Sequence, residues 1–316
     1  MELEMDSKSL LPIVEHCDNF SVRGTTEILV PFYVTPPEGT EIVIGWIRAP
    51  VFRILLETGK AVFDVSESGV RFVSELDSFE KRNVALATLC EMWHRSGFFS
   101  DIIGGRLWRN ELYPIYYNPF KRRFNADIAF VLERTCCAIF GLVTHGCHMT
   151  TYLEGEQKIW VPTRAKTKQT WPGYLDNSVA GGIPYGLTPT EALVKECLEE
   201  ASLEENFVRE YVRAAGAISY FYQTSNGWLQ PEVQYVYDLV VPAGVNAPEP
   251  KPSDGEVEHF ELLSIDHVLD RVGNGLFKPN CALVLIDFFI RHGHITPESE
   301  PNFLEILTRI HGRFGY

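Results

Sequence analysis

Apolar and polar positions alternate along this chain in two distinct periods. In DSFEKRNVALATLCEMWHRSGFF, apolar residues recur at Val84, Leu86, Leu89, Cys90 and Trp93. That helical period predicts a helix capped by Asp77 or Ser78 and ended by Gly97. ILVPFYV and AVFDVSESGVRFV predict strands, the second folded at a Ser-Gly turn, and residues 1–20 predict a short helix. From Cys136, CCAIFGLVTHGCHMTTYL predicts one extended strand. AISYFYQT and VQYVYDLVV predict a long hairpin joined through Asn226-Gly227 and Pro231. The proline-rich PAGVNAPEPKPSDGE reads as a surface loop. FELLSIDHVLDRV reads as a strand leading into a helix. NCALVLIDFFIRHG predicts a buried helix with Asn280 as cap and Gly293 as stop, and EPNFLEILTRIHGRF an amphipathic one.

The helix most directly tied to chemistry starts at Thr188. Thr188-Pro189-Thr190-Glu191 fits a capping box: Thr188 caps, Pro189 takes the first helical position, and Glu191 reaches back. The helix is predicted to run to about Ala201, with Val194, Cys197, Leu198 and Ala201 as its apolar stripe. Glu196, Glu199 and Glu200 fall on the other side at i+3 and i+4 spacing. Like charges so placed repel, and a divalent cation reverses the sign. Mg²⁺ takes hard oxygen ligands and bridges carboxylates to substrate phosphates. Gly181, Gly182 and Gly186 in the preceding turn allow close backbone approach. An acid-rich face that simply meets water is the other reading of the same spacing.

Composition narrows the class. The 316 residues are 45% hydrophobic and 22% charged, with a formal net charge of −14. This length allows two domains, or one with a large extension. The charge disfavours nucleic acid and anionic membranes as partners. No apolar run is long enough to span a bilayer. The acidic start, with Glu2, Glu4 and Asp6, argues against a secretory signal or a transit peptide. Seven cysteines, mostly in apolar surroundings, read as reduced buried thiols of a cytoplasmic protein. Cys136, Cys137, His145, Cys147 and His148 have no common zinc spacing. His292 and His294 at a helix end suit the helix dipole.

The stretch AGGIPYGLTPTEALVKECLEEASL resembles the Nudix box, which runs glycine, five residues, Glu, seven residues, then R-E-aliphatic-x-E-E-x-G-aliphatic. Gly181 takes the first glycine, Glu196 the glutamate after the arginine position, Glu199 and Glu200 the acidic pair, and Leu203 the last aliphatic. Leu187, Lys195 and Ser202 depart from the pattern at its first Glu, its Arg and its second Gly. TKQTWPGYLDNSVAGG, QPEVQYVYDLVVP, DGEVEHFELLS and FKPNCALVLIDFFIRHGHITPE resemble a eukaryotic Nudix subgroup with an extra N-terminal domain, related to the Nudix half fused to thiamine pyrophosphokinase in some fungi. The resemblance implies a Nudix α/β/α sandwich with a mixed sheet over residues 131–316, preceded by a smaller α+β domain over 1–130.

It also implies Mg²⁺-dependent hydrolysis, with Mn²⁺ as a possible substitute, of a small-molecule diphosphate. A thiamine diphosphate, or a damaged analogue, would be cut to its monophosphate. Glu196, Glu199 and Glu200 are the candidate catalytic and metal-holding residues, and Glu256 in the later DGEVEHFELLS loop a further metal ligand. Arg164, Lys166 and Lys168 form a basic island ahead of the box that, with Gly181 and Gly182, is the candidate diphosphate contact. Trp171, Tyr174, Tyr220, Tyr222 and Trp228 are candidates to stack on a ring, Trp171 foremost. Two alternatives stay open: a binding or regulatory protein that keeps the fold with weak turnover, and a hydrolase of another organic diphosphate such as ADP-ribose.

Overall fold

The structure is a computed structural model and describes residues 9–37, 39–121 and 127–314. The acidic start and the first part of the helix expected over 1–20 lie outside the described residues. The helix itself, α1 (Leu11–Cys17), is short, with Pro12 in its first turn.

The N-terminal half builds its own sheet. Strands β1 (Leu29–Val34), β2 (Ile42–Arg48), β3 (Phe63–Ser66) and β4 (Gly69–Phe72) lie in the order β2-β1-β4-β3. Helix α2 (Ala49–Thr58) packs on it, and α3 (Phe79–Ser96) and the one-turn α4 (Ser100–Ile103) follow. A separate hairpin, β5 (Leu112–Tyr116) with β6 (Ile128–Glu133), packs beside α3. Ser78 caps α3 by accepting from the Lys81 N–H, and Gly97 ends it in the left-handed region at φ 76°. The buried face of α3 carries Leu86, Leu89, Cys90 and Trp93. Val84 leaves the expected stripe: it is 69% exposed, off the arc that faces the core. The core here is aromatic, with Phe32, Phe63, Phe72, Phe130 and Phe140 packed on one another.

The C-terminal half is a three-layer sandwich. Its mixed sheet contains β7 (Thr144–Leu153), β8 (Lys158–Arg164), β9 (Val179–Gly182), β10 (Val212–Gln223), β11 (Leu229–Val241) and β12 (Val257–Ser264). The order is β10-β11-β7-β8-β12, with β9 added on β7; the β7–β11 pair is parallel and the rest antiparallel. One face is covered by α5 (Pro189–Ala201) and α6 (Glu205–Tyr211). The other is covered by α7 (Ile265–Gly273), α8 (Pro279–Arg291) and α9 (Phe303–Ile310), and α1 joins this layer, burying Leu10, Val14 and Cys17 there. The predicted α/β/α sandwich behind a smaller domain with its own sheet is therefore present.

Two local expectations are corrected. The segment from Cys136 is not extended throughout: residues Arg134–Ile139 form a 3₁₀ turn, Gly141 turns the chain at φ 57°, and β7 starts only at Thr144. The run is apolar because Cys136, Cys137, Ile139 and Phe140 fill the N-terminal core, and such burial leaves no period to read. Asn280 does not cap α8. Lys278 holds the cap position and Pro279 the first helical one, so Asn280 sits inside the helix, buried. All seven cysteines are free and buried.

Candidate active site

The capping box forms as its sequence predicts: the Thr188 side chain accepts from the Glu191 N–H at 3.1 Å, and the Glu191 carboxylate accepts from the Thr188 N–H at 2.9 Å. This fixes where α5 begins and hence which way its side chains face. Ala192, Leu193, Val194, Cys197 and Ala201 are buried against the sheet, while Leu198, expected in that stripe, is 50% exposed. The buried arc is rotated toward the N-terminal turn, and this rotation separates the three glutamates. Glu196 and Glu200 turn toward the edge strand β9. Glu199 faces solvent and pairs with Lys195 at 2.6 Å.

Glu200 Oε2 accepts from the Ala180 N–H of β9 at 3.2 Å. Glu196 lies against Gly181: a methyl group on Gly181 would come within 2.4 Å of the Glu196 side chain. Only glycine leaves room for a carboxylate so close to the strand. Burial pushes the Glu196 carboxyl up to about 7; Lys195, whose ammonium is 3.7 Å away, opposes this, and the charges of Glu199, Glu111 and Glu256 add to it. Burial also holds Glu200 well above the usual carboxylate range, with Asp176 and Glu196 as repelling neighbours. Among the described residues, no three acids converge as a finished metal set. Glu196 and Glu200 nonetheless offer hard oxygens in a half-buried site, with one backbone N–H on Glu200 and the Lys195 ammonium, shared with Glu199, beside Glu196. That donor set fits Mg²⁺ or Mn²⁺.

The other sequence-derived candidates divide. Glu256 is brought near: its charge is felt by Glu196 and Glu200, and its side chain pairs with Lys168. Burial alone would raise its carboxyl; the Lys168 hydrogen bond and charge lower it. Arg164 is committed to the scaffold. It pairs with Asp176 and donates to the Trp171 and Thr170 carbonyls at 3.1 and 3.0 Å. Lys166 is exposed at the loop surface. Trp171 takes a left-handed conformation, φ 54°, packs edge-on against Tyr174 and His16, and lines a cavity.

That cavity, about 400 Å³, lies over the sheet face opposite α5, between the C-terminal half and the N-terminal domain. Ala180, Gly181 and Gly182 border it, so β9 has the acids of α5 on one side and this space on the other. Gly182 supports the wall: a methyl group there would overlap the Tyr113 hydroxyl at 1.4 Å. Tyr220, Tyr222 and Trp228 also line the cavity, whereas Tyr174 is exposed outside it. Sequence reasoning missed Tyr113 and Arg134 from the N-terminal domain, and Glu232 and Gln234 from β11. The last two had a partial signal, since Gln230, Glu232 and Gln234 put a polar residue at every second position of β11, on one face of the strand. Tyr113 and Arg134 had none, because nothing in the sequence brings them next to the box.

Among known proteins, residues 149–280 match the NUDIX domain and residues 9–144 match a domain of unknown function, DUF4743. The chain is 37% identical over 303 residues to an uncharacterized protein of Saccharomyces cerevisiae, covering 90% of this chain and 84% of that one. It is 34% identical over 305 residues to Nudix hydrolase 20, chloroplastic, of Arabidopsis thaliana, covering 92% and 75%. It is 33% identical over 312 residues to Nudix hydrolase 24, chloroplastic, of the same plant, covering 96% and 78%.

Proposed function

The chain belongs to the Nudix hydrolase family and is a diphosphate hydrolase, and from that premise we propose that it cleaves a thiamine-type diphosphate, the intact cofactor or a damaged analogue, to its monophosphate with Mg²⁺. The observation that carries this reading is the position of β9. Glu196 and Glu200 stand on one side of it, and a cavity with aromatic walls, large enough for a heterocyclic ring, lies on the other. A diphosphate laid across Gly181 and Gly182 would have its anhydride at the acids and its organic half in the cavity.

Each residue then has a definite task. Glu196, Glu200 and, from its loop, Glu256 hold the divalent cation; with it bound, the diphosphate charge is offset and a water is made more acidic. Glu199 lies further out, where its pairing with Lys195 restrains the ammonium beside Glu196. Lys168, next to Glu256, is the basic-island residue nearest the acids, and Lys166 reaches outward to the solvent side of the phosphates. Arg164 acts through the backbone it grips, holding the Thr170–Trp171 turn against the cavity. In-line attack leaves charge spread over phosphoryl oxygens, so positioning and charge compensation account for most of the catalysis. One ring stacked on Trp171 or Tyr220 would contribute on the order of 1 kcal/mol to binding.

One feature supports a thiamine-type organic half over a nucleotide: on an acidic protein, with net charge −14, the cation of a thiazolium ring offsets part of the diphosphate charge, which an uncharged nucleoside does not. The test is product analysis after incubation with thiamine diphosphate and Mg²⁺. Thiamine monophosphate and phosphate are the expected products; intact substrate, with ADP-ribose cleaved under the same conditions, would refute the substrate assignment and leave the hydrolase itself standing.

A further inference from the structure

The cavity holds one carboxylate that neither the hydrolytic chemistry nor the fold accounts for. Glu232 lies on β11, and both of its hydrogen-bond donors end on one oxygen. The Tyr220 hydroxyl donates to Oε2, and Gln234 Nε2 donates to the same atom at 2.8 Å while also donating to the Tyr220 oxygen at 2.9 Å. Oε1 takes no hydrogen bond from the described residues. The Gln234 side chain is 96% buried by its 4% exposure, and its Oε1 also has no partner there. Burial pushes Cys17, Tyr113 and Tyr220 up, and the negative charge of Glu232 adds to the rise in each. These neighbours are neutral. Arg134 feels the Glu232 charge too, but its guanidinium is spent on Glu111 at 2.7 Å and covers the Tyr113 ring at 5.0 Å. A carboxylate with one oxygen fixed, one oxygen free and no cation committed to it is incomplete.

The strand register places Glu232 relative to the box turn. Gly182 of β9 is opposite Gly146 of β7, and Gly146 is opposite Gln234 of β11. Two residues along, Thr144 is opposite Glu232, which is opposite Tyr220. Two strand spacings, roughly 10 Å, separate β9 from β11. The two glycines let side chains close down on the sheet: the Tyr113 hydroxyl takes the space a methyl group on Gly182 would need, 1.4 Å away, and Gln234 Oε1 that of one on Gly146, 2.1 Å away. Glu232 and the box-turn residues Ala180, Gly181 and Gly182 line the same cavity.

We infer that Glu232, oriented by Tyr220 and Gln234, is the residue that selects the organic half of the substrate, and that it takes a positively charged heterocycle. The inference rests on the reading of the chain as an organic-diphosphate hydrolase and names the chemistry of its second subsite. The cation of the ring would meet Oε1, a ring donor would meet Gln234 Oε1, and Tyr113 and Tyr220 would flank its faces.

The test compares one charged and one neutral ring on the same diphosphate arm: thiamine diphosphate, whose thiazolium is cationic, and its thiazolone analogue, which keeps the pyrimidine and the arm but has a neutral ring. Measurements of kcat/KM at fixed Mg²⁺ are made on the full chain, on Glu232→Gln, which is isosteric and uncharged, and on Tyr220→Phe, which removes one donor but keeps the charge. The unsubstituted protein is expected to prefer the cationic substrate at least tenfold, Glu232→Gln to lose tenfold or more of that preference through KM, and Tyr220→Phe to keep most of it. An unchanged ratio in Glu232→Gln, or preference for the neutral ring in the unsubstituted protein, would overturn the inference. A Glu232→Gln protein too unstable to assay leaves the decision to the unsubstituted ratio and Tyr220→Phe: loss of the whole preference in Tyr220→Phe would count against a charge-based role. Glu200→Gln separates the two claims. If it still turns over both substrates, the catalytic assignment fails while the selectivity result stands; loss of turnover in Glu200→Gln together with an unchanged ratio in Glu232→Gln fails the inference alone.

Discussion

Glu200 combines two conditions that conflict in the metal-free protein: it is held against the β9 backbone through the Ala180 N–H, and burial with two acidic neighbours raises its proton affinity. Glu200→Gln keeps the hydrogen bond and removes the charge. Turnover is expected to fall at least about 100-fold, the lower end of what a positioned acid or base contributes, while the melting temperature without metal stays the same or rises. Unchanged turnover would remove Glu200 from the catalytic group. His148, on the cavity side of β7, carries a different pH signature. Burial and the Lys278 charge lower it from 6.5 to about 4, and its Nδ1 lies 2.7 Å from Asn177 Oδ1. The unfolded chain takes up this proton below about pH 6.5 and the folded chain only near 4. The stabilisation is therefore complete above about 6.5 and is lost as pH falls toward 4, by about 3 kcal/mol at roughly 1.4 kcal/mol per unit. Glu196 and Glu200, whose carboxyls burial raises, shift stability the opposite way in this range, so the His148 contribution is read as the difference in urea unfolding between the protein and His148→Gln at pH 7 and 4.5; the unsubstituted protein should lose stability relative to the variant as pH falls, and an equal pH dependence in the two would contradict the assignment. Neither residue's environment could be read from the sequence. Spacing put Glu196, Glu199 and Glu200 on one helix, but which of them face the protein depends on a rotation of a few tens of degrees set by packing. That rotation moved Leu198 and Glu199 outward together.

At the scale of elements, α5 was legible from end to end because its signals are local: a capping box, a proline at the first turn and a helical apolar period. Thr188→Ala is expected to cost about 1 kcal/mol, the usual worth of such a cap, read as a lowered urea midpoint at unchanged m-value. No loss would mean that tertiary packing alone fixes the start of α5. At its other end Ser202 occupies a left-handed conformation, φ 54°, where the box pattern has glycine, and its hydroxyl donates to the Lys251 carbonyl at 3.0 Å. The departure from the pattern thus comes with a local compensation. The segment from Cys136 was misread for a physical reason. A fully buried apolar run has neither period, so turn and strand look alike until the aromatic core that absorbs its first half is known. Glu232 and Gln234 stayed hidden within β11 because two polar residues in a strand imply a polar surroundings without saying whose.

Across the whole molecule, the two halves share walls. The Tyr185 N–H donates to the Leu112 carbonyl at 2.8 Å, Tyr113 abuts Gly182, and Trp228 of the β10–β11 connection joins the N-terminal core. In the other direction α1 crosses to pack on α8, with Leu10, Val14 and Cys17 buried there. Removing residues 1–18 should cost at least about 3 kcal/mol at 1.5–3 kcal/mol per large buried side chain, measured by urea unfolding; a loss below 1 kcal/mol would show that α1 is peripheral. None of the described helices is long and apolar enough to cross a membrane. Chain length and the family resemblance pointed to a two-part organisation, but the cavity between the parts is a product of long-range contacts that no local period encodes.

We propose that this Nudix hydrolase acts on a thiamine-type diphosphate, which kcat/KM at equal Mg²⁺ tests across a matched panel: thiamine diphosphate and its oxidised analogues, ADP-ribose, nucleoside diphosphate sugars and dinucleoside polyphosphates. The thiamine-type compounds are predicted to be cleaved to monophosphates with the highest kcat/KM of the panel; a higher value for ADP-ribose or any nucleotide would contradict it.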